Sequence, residues 1–223
     1  MGYEGLRSIA WYVRRLRRSL IAGTAALLAL VDPADAHPHV WVTMQSEIVY
    51  AEDGTVTEIR HRWTFDEMFS TFAVQGLDKR KKGEFSREDL AGLAQVNVES
   101  LQEYRYFTFV RSSSKRVLLQ KPTNYWLDYN DGLLTLNFTL PLKTPVSAQT
   151  LSLEFYDPVG FVDFTLSERN AMKLIGAPAA CKLNIRKPAA GPSTSTLSEA
   201  FFNSLTASSN WGEQFASKIT IQC

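Results

Sequence analysis

The sequence is short of the residues that usually announce chemistry. It holds only three histidines and two cysteines in 223 residues. No glycine-rich phosphate loop is present, and no side chains form a recognisable nucleophile–base pattern, so neither a phosphate-cradling nucleotide enzyme nor a triad hydrolase is expected. Charge of one sign is also missing in excess. Lys and Arg number 24 against 23 Asp and Glu, and the first 36 residues take five of the former and three of the latter. The remainder is close to charge balance, which suggests neither nucleic acid nor an anionic membrane surface as partner. No internal repeat is visible. The longest apolar run, Leu20 to Val31, contains Gly23 and Thr24 and falls well short of the ~20 residues that a stable transmembrane helix needs.

That run does have telling flanks. An arginine-rich stretch precedes it (Arg7, Arg14, Arg15, Arg17, Arg18), and the small-x-small triplet Ala34-Asp35-Ala36 follows, the layout of a secretory signal peptide over residues 1–36. The paired arginines lack the remainder of a twin-arginine motif. Cleavage after Ala36 makes His37 the first residue of a periplasmic protein with no stable membrane anchor. In that compartment Cys181 and Cys223 read as a disulfide, worth about 4 kcal/mol for a loop of roughly 40 residues in the chain-entropy model. A thiolate metal site is the weaker reading, because residues 175–223 offer too few further ligands.

The spacing predicts an α+β fold, mainly antiparallel β and sandwich-like, over residues 37–187. Val40 to Tyr50 and Thr55 to Phe65 flank Asp53-Gly54, a strong hairpin signal. Apolar residues then recur at helical spacing from Asp66 to about Gly76 and from Arg87 to Leu101, giving a helix-loop-helix insertion at about 66–101. Further strands are expected at Tyr104 to Arg111, Val117 to Gln120, Tyr125 to Tyr129, Leu133 to Leu140, Thr150 to Tyr156, Val162 to Leu166 and Cys181 to Arg186. Residues 188–196 read as a linker. In the tail, 197–223, helical patterns at Leu197 to Leu205 and Trp211 to Ser217 precede a last strand, Lys218 to Cys223, tied back by the disulfide.

The loop between the two helices, Asp78 to Asp89, has the outline of a degenerate EF-hand. Asp78 stands at the first ligand position, Gly83 at the sharp turn, Phe85 at the apolar position, Ser86 at the ninth and Asp89 at the twelfth. Positions three and five, however, hold Arg80 and Lys82, and with Lys79 and Lys81 they add four positive charges where a dication would sit. Repulsion of that size argues against calcium and leaves a solvated basic turn.

The histidines offer a different metal. A free amine on His37 can close a chelate with its own Nδ1, an arrangement suited to nickel(II) or copper(II). Pro38 has no N–H and excludes the amide-nitrogen type of terminal copper site. His39 shares a strand face with His37 and can add an imidazole. With a two-residue turn, His61 faces Ser46, ~23 Å along the strand from His39, so it cannot join and is expected to be structural. The carboxylates within reach are Asp66 and Glu67, at the end of the second strand, or Asp157 and Asp163 in "FYDPVGFVDF". The expected metal set is therefore His37 and His39 with one of Asp66, Glu67, Asp157 or Asp163. The plainer alternative makes His-Pro-His exposed polar surface and Asp157 the cap of a bulged turn before Pro158.

The stretches "AHPHVWV", "RHRWTFDEMFSTFAVQGLD", "SREDLAGLAQVNVESLQEY", "YFTFV", "LTLNFTLPL" and "EFYDPVGFVDF" resemble the DUF1007 family of bacterial exported proteins over almost the whole chain after residue 36. The resemblance implies a periplasmic component of a transport system, one whose relatives often accompany nickel/cobalt-type permeases. Family members often carry aspartates in the helix-connecting loop, so Arg80 and Lys82 are departures. The expectation is thus a non-enzymatic, periplasmic protein that binds nickel, cobalt or copper and serves a membrane permease. The alternatives are a metal-free module docking on such a permease and, more remotely, a copper oxidoreductase.

Overall fold

The computed structural model of the protein describes residues 39–78, 84–147, 149–188 and 209–223. The chain divides into Met1–Ala36 and His37–Cys223, and all that follows concerns the second unit. The leader, His37, the centre of the helix-connecting loop, most of the linker and the helical pattern at 197–205 lie outside the described residues. No described helix is long and apolar enough to cross a membrane.

Eleven strands follow in order: β1 (Val40–Tyr50), β2 (Thr55–Phe65), β3 (Thr108–Ser112), β4 (Lys115–Arg116), β5 (Thr123–Asn130), β6 (Leu133–Ser147), β7 (Thr150–Phe155), β8 (Val162–Leu166), β9 (Met172–Ile175), β10 (Lys182–Arg186) and β11 (Lys218–Gln222). They form two sheets. The larger runs β5-β6-β2-β1-β8, with β9 also on the free side of β1; the smaller runs β10-β11-β7-β3-β4. The smaller sheet is antiparallel throughout. In the larger one β8 and β9 run parallel to β1, one after the other along the same edge. The expected antiparallel architecture is therefore mixed at this edge, because the chain reaches β8 only after crossing to the other sheet and back.

Alternation fixes which face is core. β2 buries Ile59, His61, Trp63 and Phe65 and turns Arg60, Arg62 and Thr64 outward. On β1 the buried set is Val42, Met44, Ser46, Ile48 and Tyr50. Ser46 faces His61 as expected, yet the turn that sets the register differs from the expected one. Ala51 and Thr55 close a three-residue loop, with Gly54 at φ 79° and the Asp53 carboxylate accepting from Thr55 N and Oγ1. A bulge at Thr57 then restores the register of a two-residue turn. The other Asp-Gly, Asp131-Gly132 between β5 and β6, does form the two-residue turn, with both residues at positive φ.

Between the sheets lies one core, in which Trp63 packs on Phe138 and Phe164 at 4.8 and 5.0 Å and Leu136, Leu140, Leu151, Leu153, Ile219 and Ile221 fill the space around it. Helix α1 (Glu67–Ala73) starts at Asp66, whose Oδ1 accepts from Phe69 N at 2.8 Å. Its buried Ser70 hydroxyl accepts from Leu134 N at 2.9 Å, which pins the helix to β6. Helix α2 (Ala91–Ser100) sets Leu90, Ala94 and Val98 against the body at one-turn spacing. Both helices are shorter than the sequence pattern suggested. Asp89, the twelfth position of the calcium outline, accepts from Ser86 N while Ser86 Oγ accepts from Asp89 N, a reciprocal box that starts a helical turn. An EF-hand geometry is not established by the described residues.

Two expected strands change. The stretch Val117 to Gln120 contributes only an isolated bridge, Leu119 to Leu142, since Pro122 removes a donor and restricts the residue before it. The start of the segment expected from Tyr104 coils into a 3-10 turn, Arg105–Phe107, with all three residues at positive φ. Strand β9, too short to stand out as a period, was not anticipated. In the tail, Trp211–Phe215 is a 3-10 turn rather than an α-helix, seated so closely on the 157–158 loop that a Cβ on Gly212 would collide with the Asp157 carbonyl oxygen. Cys181 and Cys223 are joined, one step beyond the Lys182–Gln222 pair, and close the outer end of the β10-β11 ladder. No free cysteine remains, a pattern of proteins that mature outside the reducing cytoplasm.

Candidate functional site

The start of β1 carries the residues expected to hold a metal. His39 and Val40 both donate their N–H to the Phe161 carbonyl, at 2.8 and 3.2 Å, and the exposed His39 ring stacks on Phe161 at 5.4 Å. Alternation puts His39 and Trp41 on the outward face. Trp41 is 46% exposed and stands between two aspartates: Asp66 closes the ladder on the β2 side, and Asp163 is its register partner on β8. His39 and Asp163 thus lie one diagonal step apart on neighbouring parallel strands.

The other expected carboxylates are differently employed. Asp66 Oδ2 accepts from Trp41 N at 2.9 Å while Oδ1 caps α1, so the side chain clamps the strand start to the helix start. Glu67 is exposed in the first turn of α1, where it faces the positive end of the helix dipole. Asp157 is 3% exposed. Its Oδ1 accepts from Val159 N and its Oδ2 from Phe161 N and Val162 N, all at 3.0–3.1 Å. Burial holds its pKa above the ordinary carboxylate value, against the lowering pull of those amides. It ties the loop beneath His39 and is not presented to an ion there, which is the turn-capping role the plainer reading gave it. Asp163 keeps a lighter bond, accepting from Thr165 Oγ1 at 3.3 Å. Among the described residues no three of His, Cys, Asp and Glu gather into a metal-holding group. His37, the first member of the expected set, lies outside them.

His61 is the opposite case. It is 3% exposed, with Nδ1 2.8 Å from Ser46 Oγ and Nε2 3.3 Å from Thr108 Oγ1, and Trp63, Phe138 and Phe155 surround the ring. Burial pushes its pKa down to about 3, so the ring is neutral at physiological pH. Thr108 is on the smaller sheet, which makes His61 a polar rivet between the two layers.

Residues 22–223 match the family described as "Protein of unknown function (DUF1007)". The chain belongs to the DUF1007 family. A Haemophilus influenzae protein named only as uncharacterized is 26% identical over 195 residues, covering 84% of this chain and 91% of that one. An "Uncharacterized 15.5 kDa protein in trpE 3'region" from Spirochaeta aurantia is 31% identical over 102 residues, covering 45% of this chain and 73% of its own. Neither name assigns a chemistry to the DUF1007 fold, so function rests on the residues themselves.

Proposed function

We propose that this DUF1007 protein is a periplasmic, non-enzymatic accessory protein that binds a transition metal ion, nickel, cobalt or copper, and exchanges it with a membrane permease. The reading takes His37 as the first residue after removal of the leader, chelating through its amine and Nδ1, with His39 adding an imidazole and Asp163 a carboxylate. The observation that carries it is the exposed His39 at the open end of β1, a diagonal step from Asp163. The commitments of Asp66 and Asp157 to backbone amides support Asp163, or Glu67 as the alternative, as the carboxylate that would serve. Neutral imidazole and carboxylate suit these borderline ions, and a site at a chain terminus exchanges its ion readily.

Calorimetric titration of the exported, processed protein with nickel, cobalt and copper tests the proposal. The expected result is a dissociation constant tighter than ~10 μM for at least one ion, weakened at least tenfold by His39→Ala and more modestly by Asp163→Asn. Binding weaker than that, or indifferent to His39→Ala, overturns it. A second reading, a metal-free module that docks on a permease, is favoured by Met68 and Phe72 of α1, which are 66% and 70% exposed. Capture of the permease by metal-stripped protein, lost in Met68→Ser/Phe72→Ser, would favour that reading.

A further inference from the structure

Strand β6 breaks the alternation that governs β2. From Leu134 to Leu140 every residue is buried, the outward-facing Thr135, Asn137 and Thr139 included. Asn137 and Thr139 of that polar row line a cavity and form the floor of this trough. One wall rises from β5, which bulges after Thr123. There Asp128 accepts from Trp126 Nε1 at 2.9 Å, from Asn137 Nδ2 at 3.1 Å and from Arg87 Nε at 2.8 Å, while the Arg87 guanidinium lies over the Trp126 ring at 4.8 Å. The other wall is the segment between β8 and β9, anchored by Gln45 Nε2 on the carbonyl of Arg169 at 3.1 Å. Between them lies a cavity of about 230 Å³.

Its lining carries a surplus of positive charge. Arg60 is paired with Glu58 at 2.8 Å and more loosely with Glu47 at 4.0 Å. Arg62 and Lys173 make no ion pair among the described residues, though both line the cavity. Thr139, 7% exposed, presents a hydroxyl with no hydrogen-bond partner among the described residues, and Asn170 adds an amide. Two cations unpaired among the described residues, over a floor of hydroxyl and amide groups and beside an indole fixed by its hydrogen bond to Asp128, are the recognition elements for oxyanions on a small organic molecule. Register separates the cations. Arg62 stands opposite Gln45 and Lys173 opposite Glu47, on the two flanks of β1, a span that matches two anionic groups better than one.

We propose that this trough binds a small organic molecule bearing two or more oxyanion groups, with Arg62 and Lys173 as its charge contacts and Trp126 and Thr139 as its wall and floor. The site is separate from the start of β1, and it stands or falls independently of the metal reading.

The test is titration of the isotope-labelled processed protein with citrate, as the carboxylate arm, and with fructose 1,6-bisphosphate, as the phosphate arm, in metal-free buffer. The indole N–H resonances serve as reporters. The Trp126 indole shifts saturably with at least one probe while that of Trp63, sealed in the core, stays still. Arg62→Gln and Lys173→Gln each raise the dissociation constant about tenfold, with melting temperatures close to the parent's. Saturation by citrate alone or by the bisphosphate alone assigns the oxyanion. Absence of a saturable Trp126 shift with both probes up to about 10 mM, or binding that survives both substitutions, overturns the proposal.

Discussion

Arg62 and His61 are neighbours in sequence and could hardly be less alike in circumstance. His61 is sealed between two sheets with each ring nitrogen facing a hydroxyl, and its charged form is suppressed. Arg62 projects from the opposite face of the same strand into the polar trough, exposed and unpaired among the described residues. The difference continues along β2, where Trp63 is 1% exposed and Thr64, next to it, meets Thr135 across the outer face at 3.0 Å. A pleated strand sends successive side chains to opposite environments, so one face can be specified by packing while the other remains available for chemistry. The inner row here answers for stability and the outer row for recognition, and that division can be tested.

The largest effect is expected at Trp63. Its ring bridges Phe138, Phe164 and Phe107, and truncation would leave a cavity that none of these can collapse into without losing its own contacts. Trp63→Ala is expected to cost about 3–5 kcal/mol, read as a lower midpoint of denaturant unfolding. Trp63→Phe should cost much less, because the indole N–H is a buried donor without a hydrogen-bond partner among the described residues, and its removal sets lost volume against a relieved desolvation penalty. If Trp63→Ala changes stability no more than a surface substitution does, the inner row is not the structural face.

The second effect belongs to His61 and depends on pH. A histidine whose pKa is near 6.5 in the unfolded chain and about 3 in the fold takes up its proton only on unfolding throughout that interval. The unfolded state binds more protons there, so stability is full above pH 6.5 and falls as pH drops toward 3. The contribution amounts to about 2 kcal/mol lost by pH 5. In His61→Gln, which keeps a side chain able to meet Ser46 and Thr108 but does not titrate, this part of the acid sensitivity should vanish. Unfolding free energies at pH 7.5 and pH 5 for both proteins check it. Equal falls in the two would show that other groups set the acid limit.

How much of this division could be read beforehand varies along the chain. The alternation in "RHRWTF" announces the two faces of β2, and the Asp-Gly turn led to the correct facing of Ser46 and His61, even though a three-residue loop and a bulge at Thr57 compensate to produce it. The Cys181–Cys223 pairing was legible from count and compartment. The trough was not, because it depends on neighbours supplied by other strands. "TLNFTL" alternates as any half-exposed strand does, and only the raised β5 wall and the unforeseen β9, which brings Lys173, turn its outward Thr and Asn into a floor. At the start of β1, Asp66 and Asp157 could not be told from free carboxylates. Their partners are backbone amides, and amides carry no signature in sequence.

The smallest effect is the one that most sharply separates the two faces. Arg62→Ala removes a long, exposed side chain whose guanidinium has no carboxylate partner among the described residues, so its loss should change the unfolding free energy by no more than about 0.5 kcal/mol. The stem of an arginine can nevertheless cover apolar surface, and the residue sits between Gln45 and Asn137 across the ladders. Arg62→Gln keeps much of that stem, so the two variants together separate packing from charge. If both leave stability at the parent's value, the outer row is free of structural duty and its charge is available for a ligand. Should Arg62→Ala cost as much as 2 kcal/mol while Arg62→Gln costs nothing, the side chain is packing material, and the contrast with Trp63 becomes one of degree.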